Sequence, residues 1–174
     1  MNKVFFDLEW NTGFLDGNSF DEIIEIGAVK TDEEYRQIDG FRRLIRPVIY
    51  RKMNPYIQKI LAITMKDLQG EEPLASVAKA FFDWCGDCDT LIAWSGNDFG
   101  VLEKNLAHIG MKIPEHLGRY DVQMAYAYRT ENSIRNYALK TAVEAMELPE
   151  PEGQEYHDAY CDAQFTAAIG RALT

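Results

Sequence analysis

The chain has 174 residues, a formal net charge of −10 and a hydrophobic content of 47%, which suits one folded domain rather than a disordered chain. A protein that grips nucleic acid mainly by neutralising phosphates is expected to be basic, so an acidic chain needs a local device, such as a bound metal ion, to attract a polyanion. No segment approaches the ~20 apolar residues that span a bilayer, so we predict a single domain over residues 1–174 with no membrane partner.

The first third of the chain is predicted to form β-strands joined by short connections. Residues 4–9 are apolar and aromatic, residues 23–30 are rich in β-branched side chains, and residues 41–46 alternate moderately before Pro47. Strands that follow each other closely along a chain usually pair as neighbours. We therefore expect these three strands to form a meander.

The rest of the chain is predicted to be mainly helical. Asn54 followed by Pro55 is typical of a helix start, and the segment from Thr64 to Asp67 resembles a capping box. Apolar residues at helical spacing predict longer helices, with one short strand between two of them and a loop before the last. The helices are predicted over residues 73–86, 99–109, 121–128, 139–148 and 158–173, the strand over 90–94 and the loop over 148–153. This order of elements predicts an α/β layer structure.

Two carboxylates stand at the end of the first predicted strand. Residues two apart in a strand point to the same face, so Asp7 and Glu9 lie side by side together with Phe5. Like charges at this spacing repel each other, and burial would raise their pKa values. A divalent cation such as Mg²⁺ or Mn²⁺ relieves both effects and prefers hard oxygen ligands. The pair indicates either a metal site or a strand end at which both groups are solvated.

Two further places carry side chains suited to chemistry. Asp98 follows the strand over 90–94, where it is either the N-terminal cap of the next helix or part of a site at the strand end. His157 and Asp162 lie at the start of the last predicted helix, with Asp158 between them. A histidine titrates near neutrality, so His157 is able to accept a proton from water at physiological pH. The alternative for His157 is an ordinary surface or capping residue.

Taken together, these segments resemble the motifs of a known nuclease family. Residues 6–9 (Phe-Asp-Leu-Glu) resemble the first motif of the DEDDh 3′–5′ exonucleases, and residues 21–29 resemble the strand that follows it. Residues 94–98 (Trp-Ser-Gly-Asn-Asp) resemble the second motif, and His157 with Asp162 five positions later matches the third. The motifs occur in order over nearly the whole chain. The amino-acid sequence of the second motif is most similar to that of the branch that includes histone-mRNA and small-interfering-RNA exonucleases.

The resemblance implies an α/β, RNase H-like fold with a five-stranded mixed β-sheet flanked by α-helices. It implies that Asp7, Glu9, Asp98 and Asp162 hold two divalent metal ions, Mg²⁺ or Mn²⁺, and that His157 is the general base. The expected protein is a metal-dependent 3′–5′ exonuclease. It would remove nucleoside 5′-monophosphates from the 3′ ends of single-stranded nucleic acid, RNA or DNA, with RNA somewhat favoured on the wording of the second motif alone.

The chain departs from the family pattern directly after Glu9. Trp10 replaces the usual threonine, and residues 11–14 look like the usual Thr-Gly-Leu turn with one extra residue. Trp10 and Phe14 either stack on a nucleic-acid base or pack against the protein. We predict four substrate-binding residues, which are Leu8, Trp10, Phe14 and Asn97. Asp121, which precedes a predicted helix, is expected to cap that helix or to support the site rather than to ligate a metal.

Five basic residues lie close together after the second predicted strand. They either guide a phosphate backbone or form a solvated strand edge. These residues are Arg42, Arg43, Arg46, Arg51 and Lys52.

Two other functions compete with a general exonuclease. One is an oligoribonuclease that clears very short RNAs, and the other is a non-catalytic nucleic-acid-binding domain that kept the fold. A pure binding domain has no need of four converging carboxylates, so the intact set argues against the second.

The three cysteines favour a cytoplasmic protein, because an odd number of thiols does not suit a secreted disulfide scaffold. Cys85 and Cys88 form a CxxC pair at the end of a predicted helix. A zinc site requires two more ligands, and a redox motif of the thioredoxin kind precedes a helix rather than ending one. We interpret this pair as structural.

Overall fold

Over residues 1–149 and 157–174, which the computed structural model describes, five strands form one sheet that is flanked by helices. The strands are β1 (Lys3–Leu15), β2 (Asn18–Thr31), β3 (Gln37–Leu44), β4 (Thr90–Ala93) and β5 (Gly118–Asp121). They lie in the order β3-β2-β1-β4-β5. The first three pair antiparallel, whereas β4 pairs parallel with both β1 and β5. The predicted five-stranded mixed sheet is confirmed.

Two of the helices begin at the start signals of the sequence, Asn54 and Thr64, whereas the helix predicted from residue 99 begins at Gly96. The helices are α1 (Pro55–Leu61), α2 (Met65–Leu68), α3 (Leu74–Cys85), α4 (Gly96–His108), α5 (Val122–Glu131), α6 (Leu139–Ala145) and α7 (Ala159–Ala172). The Asn54 side chain caps α1 by accepting a hydrogen bond from the N–H of Tyr56, and a complete capping box joins Thr64 to Asp67 before α2. In the described part of the chain, no helix is long and apolar enough to cross a membrane. The loop predicted over residues 148–153 lies outside the described residues from residue 150 onwards.

The first hairpin is longer than the sequence pattern predicts. β1 continues past Glu9 to Leu15 and stays paired with β2, so the turn predicted over residues 11–14 is wrong. The chain reverses instead at Asp16 and Gly17, whose φ angles are 50° and 80°. A two-residue Asp-Gly turn matches the twist of the strands on either side, which is why the hairpin closes there.

The edge strand β5 is not predicted by its local sequence. Its residues, Gly-Arg-Tyr-Asp, are largely exposed and show no apolar alternation. They form a strand because they pair in register with β4, from which they are distant in sequence. This strand can therefore be found only through its partner.

The sheet has a hydrophobic core on each face, as the alternation in β1 predicts. Val4, Phe6 and Leu8 are buried on one face among residues of α3 and α4. Phe5 is buried on the other face among residues of α5, α6 and α7. Asp7 and Glu9 share the face of Phe5. The fold therefore presents both carboxylates to the helix that carries the third motif.

Candidate active site

Asp7 and Glu9 project from the α7 face of β1 at an irregularity in the hairpin. Glu9 opposes Glu25 on β2, whereas the next residue, Trp10, opposes Ile23, so β2 carries one extra residue between them. Such a bulge increases the local twist and re-aims the neighbouring side chains, and bulges are common beside active sites. Glu9 is only 9% exposed. The alternative of a solvated strand end is therefore wrong for Glu9.

Asp98 is held beside β1 in the first turn of α4. The cap of this helix is Ser95, whose hydroxyl accepts a hydrogen bond from the N–H of Asn97, so Asp98 is not the N-terminal cap. The Asp98 carboxylate is 5% exposed and accepts hydrogen bonds from the Ser95 hydroxyl, at 3.3 Å, and from the N–H of Leu8. Burial raises the pKa of Asp98 to about 6, against the opposing effect of these hydrogen bonds. Asp98 is thus a buried acid tied to the strand that carries Asp7.

The third motif lies at the N-terminal end of α7. Asp158 caps this helix by accepting a hydrogen bond from the N–H of Cys161, at 3.1 Å. His157 precedes the cap in the left-handed conformation, with φ at 69°, and its N–H donates to the carboxylate of Asp162, at 3.3 Å. His157 therefore lies just before the helix rather than inside it. Asp162 lies in the first turn, where its side chain points back toward the start of the helix.

These elements bring three of the predicted residues into one cluster. Glu9, His157 and Asp162 each offer one ligand atom, and these atoms all lie within 4.8 Å of one another. Among the described residues, Asp162 Oδ1 is a buried oxygen without a hydrogen-bond partner. Buried polar atoms are nearly always satisfied, so this oxygen is open to a further ligand. The carboxylates of Glu9 and Asp162, with the unpartnered oxygen of Asp162, suit a divalent cation. The His157 imidazole lies within 4.8 Å of both carboxylates.

Asp7 belongs to the same electrostatic cluster. Burial raises the pKa of Asp7 well above its usual value, and the carboxylates of Asp98, Asp162 and Glu9 raise it further. Burial likewise raises the pKa of Glu9 to about 8 and that of Asp162 to about 7. Carboxyl groups with pKa values this high hold protons near neutrality unless a cation replaces those protons. All four predicted ligands therefore belong to one electrostatically coupled cluster beside β1, the central strand of the sheet.

The four predicted substrate-binding residues occupy different environments. The Leu8 side chain is buried in the core, so only its N–H faces the site, where it binds Asp98. Trp10 is partly buried and packs against the same core, which favours the packing alternative for this residue. Phe14 is 77% exposed on the extended hairpin, and Asn97 is exposed at the start of α4. Of the two aromatic residues Trp10 and Phe14, Phe14 is therefore the one whose ring is exposed to solvent.

A buried glutamate that the sequence analysis did not single out pairs with a half-exposed arginine beside the cluster. Glu25 is 1% exposed, and its carboxylate accepts a hydrogen bond from the Arg42 guanidinium, at 2.9 Å. Burial raises the pKa of Glu25, although Arg42 opposes that rise. The available signal is a glutamate in the middle of an apolar strand, within Ile23-Ile24-Glu25-Ile26. A charged residue at such a position is rarely buried without a partner.

The basic segment divides into residues with different roles. Arg42 binds Glu25 and Asp158, and Arg46 Nε donates to the backbone oxygen of Glu71. Arg43, Arg51 and Lys52 are exposed. The five basic residues therefore do not share one role, since Arg42 and Arg46 bind other parts of the protein.

The cysteine pair lies within the core. Cys85 ends α3, and both Cys85 and Cys88 are buried free thiols. Burial raises the pKa of the Cys85 thiol to about 12, so it is unreactive near neutrality.

Asp121 caps α5 by accepting a hydrogen bond from the N–H of Met124, which agrees with the predicted capping role.

Comparison with known proteins identifies the family. The chain matches the family model of an exonuclease, RNase_T, over residues 4–169. It belongs to this exonuclease family. A curated relative, the DNA polymerase III PolC-type of Clostridium perfringens (strain 13 / Type A), is 29% identical over 169 residues, which make up 95% of this chain and 11% of the relative. The chain therefore spans about a tenth of the length of that relative.

Solved structures share the fold at low sequence identity. Cell-death related nuclease 4 (CRN-4) matches with a TM-score of 0.84 at 15% identity, over 99% of this chain and 63% of that chain. The nuclease domain of 3′hExo, a DEDDh family member bound to rAMP, matches with a TM-score of 0.83 at 17% identity, over 99% and 90%. Exonuclease X in complex with 5′ overhanging duplex DNA matches with a TM-score of 0.69 at 17% identity, over 99% and 89%. These likenesses confirm the RNase H-like fold of the exonuclease domain.

Proposed function

We propose that this exonuclease domain, taken as residues 1–174, removes nucleoside 5′-monophosphates from the 3′ end of single-stranded nucleic acid in a metal-dependent reaction. The observation that carries the proposal is the convergence of Glu9, His157 and Asp162 within 4.8 Å, with a buried Asp162 oxygen that lacks a partner in the described chain. Asp7 and Asp98 extend this cluster into a region that binds cations.

The proposed metal ligands are Asp7, Glu9, Asp98 and Asp162, which would hold two Mg²⁺ or Mn²⁺ ions. Exonucleases of this kind use divalent metal ions, and the oxygen-rich donor set suits hard cations. The raised pKa values of these carboxyls favour replacement of their protons by metal. When bound, such ions polarise the scissile phosphodiester and lower the pKa of an attacking water.

His157 is the proposed general base. It lies beside two of the metal ligands, and its backbone is fixed by the hydrogen bond from its N–H to Asp162. Its exposed imidazole is free to accept a proton from water. The water oxygen then bonds to phosphorus while the bond from phosphorus to the 3′ oxygen of the preceding nucleotide breaks. A nucleoside 5′-monophosphate leaves, and the shortened strand takes up a proton at its new 3′ hydroxyl.

The proposed substrate is the 3′ end of a single strand, which an acidic chain is expected to hold locally rather than along its length. Phe14 on the hairpin supplies an exposed ring for stacking on a base. The N–H groups of Val48 and Ile49 donate hydrogen bonds to the Glu22 carboxylate, which fixes the segment over residues 48–52. Arg51 and Lys52 are the exposed cations of this segment. This segment is fixed to β1 by the Asn11 side chain, which donates to the backbone oxygen of Lys52.

The sugar preference is a separate proposal. The predicted preference for RNA rests on the sequence of residues 94–98 alone. The known structures similar to this chain include one bound to rAMP and one in complex with a dT13 oligonucleotide. We keep the oligoribonuclease as the alternative that a length series distinguishes.

Matched RNA and DNA strands of several lengths, labelled at the 5′ end, test the proposal when they are digested with Mg²⁺, with Mn²⁺ and with EDTA. We expect stepwise shortening from the 3′ end with either metal and none with EDTA. Activity confined to dinucleotides and very short RNAs would support the oligoribonuclease instead. Binding without cleavage under every metal condition would support the non-catalytic domain.

A further inference from the structure

We infer that Arg42 is a positioning residue that locks the start of α7 against the sheet and so aligns His157 and Asp162 with Glu9. The inference rests on the proposed function, because alignment has a catalytic consequence only if those residues act together. The contacts that support it lie outside the set of predicted ligands.

Arg42 links two carboxylates on different elements. Its Nε donates to Glu25 Oε1 on β2, at 2.9 Å, and its Nη2 donates to Asp158 Oδ2 at the start of α7, at 2.5 Å. Glu25 stands directly opposite Glu9 in the β1–β2 pair, and Asp158 directly follows His157. One guanidinium therefore connects the strand beside Glu9 to the residue that follows the proposed base.

Asp158 uses each of its carboxylate oxygens for a different contact. Its Oδ1 accepts the N–H of Cys161 and caps α7, whereas its Oδ2 accepts from Arg42. The rigid fork of an arginine suits such a double contact, because its N–H groups have fixed directions. Rotation of the helix start thus requires breaking the cap or the Arg42 contact.

Two glycines bring the helix start close enough for this contact. Gly27 lies between Asp7 and Arg42 in the row of opposing residues across β1, β2 and β3. A Cβ atom on Gly27 would overlap the backbone where α7 begins, and a Cβ on Gly40 would overlap the Tyr160 ring. The first turn of α7 therefore lies directly on the backbone of β2. The Arg42 side chain extends from β3 past this contact to Asp158 at the start of α7.

Two simpler roles for Arg42 make different predictions. If Arg42 bound a substrate phosphate, its loss would raise KM and reduce the salt dependence of binding. If Arg42 only neutralised Glu25, its loss would make the site more negative and tighten the binding of a divalent cation. A positioning role predicts a lower kcat with an unchanged KM, together with weaker cation binding, because the ligands no longer converge.

The test compares Arg42→Met with Arg36→Met. Arg36 is a matched control because it also bridges two carboxylates, Asp32 and Glu34, but does so on an exposed turn. Measurements are the melting temperature, kcat and KM on a single-stranded oligonucleotide, and Mn²⁺ affinity by electron paramagnetic resonance. We expect Arg42→Met to lower kcat by about tenfold or more, to leave KM within about twofold, and to weaken Mn²⁺ binding. Arg36→Met should match the wild type in kcat, KM and Mn²⁺ affinity.

A double-mutant cycle with Asp158→Asn sharpens the result. Asparagine keeps the helix cap but loses the charge that Arg42 contacts, so Asp158→Asn should reproduce the effect of Arg42→Met. The double variant should be no slower than Arg42→Met alone, because the contact between Arg42 and Asp158 is already lost in that variant. The inference would be overturned if the effects of the two substitutions on kcat multiplied in the double variant. A raised KM or tighter Mn²⁺ binding in Arg42→Met would also overturn it. A wild type that binds Mn²⁺ but cleaves no strand would refute the proposed function and leave the Mn²⁺ comparison to decide the role of Arg42.

Discussion

At the scale of single residues, the unusual feature is the number of acids that share a small, mostly buried region. Burial and mutual repulsion both favour the protonated form of a carboxyl group, and the pKa values of about 6 for Asp98, 7 for Asp162 and 8 for Glu9 reflect this. Ionised carboxylates this close together are unfavourable when no cation is bound. Their clustering is explained if cations occupy the site. His157 differs from these residues because it is exposed and not buried.

The first prediction concerns His157→Ala. Loss of a general base should lower kcat by roughly 10²- to 10⁴-fold, whereas Mn²⁺ affinity should stay close to that of the wild type because the carboxylates remain. Steady-state kinetics and Mn²⁺ titration measure the two effects. His116→Ala is the control, since His116 is exposed before β5 and outside the proposed site. A wild-type kcat in His157→Ala would show that another group accepts the proton.

The second prediction concerns Phe14→Ala. An exposed ring contributes little to folding, so the melting temperature should not change, whereas loss of stacking should raise KM by about tenfold. Tyr128→Ala is the matched control, because Tyr128 is similarly exposed, at 71%, but lies on α5. If both variants keep the wild-type KM for single strands, Phe14 does not contact the substrate.

At the scale of elements, the site depends on how α7 meets the sheet. The helix lies across β1 and β2, and its first turn approaches β2 at a glycine. This close approach places the third motif beside residues of the first motif, which are about 150 positions earlier in the sequence. The elements thus bring together side chains that no local pattern connects.

The third prediction tests this contact with Gly27→Ala. The added methyl group overlaps the backbone at Ala159 and Tyr160, so we expect a loss of unfolding free energy of about 1–3 kcal/mol or more and a fall in kcat. Gly100→Ala is the control, because Gly100 lies in α4 with open space around its Cβ. Alanine there should stabilise the protein by up to about 1 kcal/mol. Urea unfolding that shows equal stability for the two variants would contradict the proposed packing.

Local signals in the sequence predict most elements but not every contact. The caps at Asn54 and Thr64 are found from sequence because capping depends on neighbouring residues. β5 and the link from Arg42 to Glu25 and Asp158 are not found, because each depends on a partner distant in the chain. The motif residues of the site are found by resemblance, whereas their burial and the unpartnered oxygen of Asp162 require the fold.

At the scale of the whole molecule, the net charge of −10 no longer argues against a nucleic-acid substrate. Part of the acidity is concentrated where two divalent ions would neutralise it. The remaining negative charge disfavours long electrostatic tracking along a backbone. A local grip at a 3′ end fits this distribution of charge.

The fourth prediction concerns the stability of the metal-free protein. The carboxyls of Glu9, Asp98 and Asp162 have raised pKa values when folded, so the folded state binds more protons than the unfolded chain. Their contribution to stability is full below the usual carboxyl pKa near 4 and is lost as pH rises through about 6 to 8. In EDTA, the melting temperature should therefore fall over this range, and Mg²⁺ should raise it more at the alkaline end.

Asp162→Asn provides the control for this pH effect, because it removes one of the carboxyls that titrate. In EDTA its melting temperature should depend less on pH than that of the wild type, and its response to Mg²⁺ should be smaller. Calorimetry over the pH series measures both effects. An equal or steeper pH dependence in Asp162→Asn would refute the assigned origin of the effect.

The central claim is that the acids of β1, α4 and α7 form one metal centre, and a crystal structure with saturating Mn²⁺ tests it most directly. Anomalous scattering at the manganese edge locates the ions without any assumption about activity. We expect two peaks bounded by the carboxylates of Asp7, Glu9, Asp98 and Asp162, with His157 beside them. An anomalous map that places manganese elsewhere, with no peak among these four side chains, would contradict it.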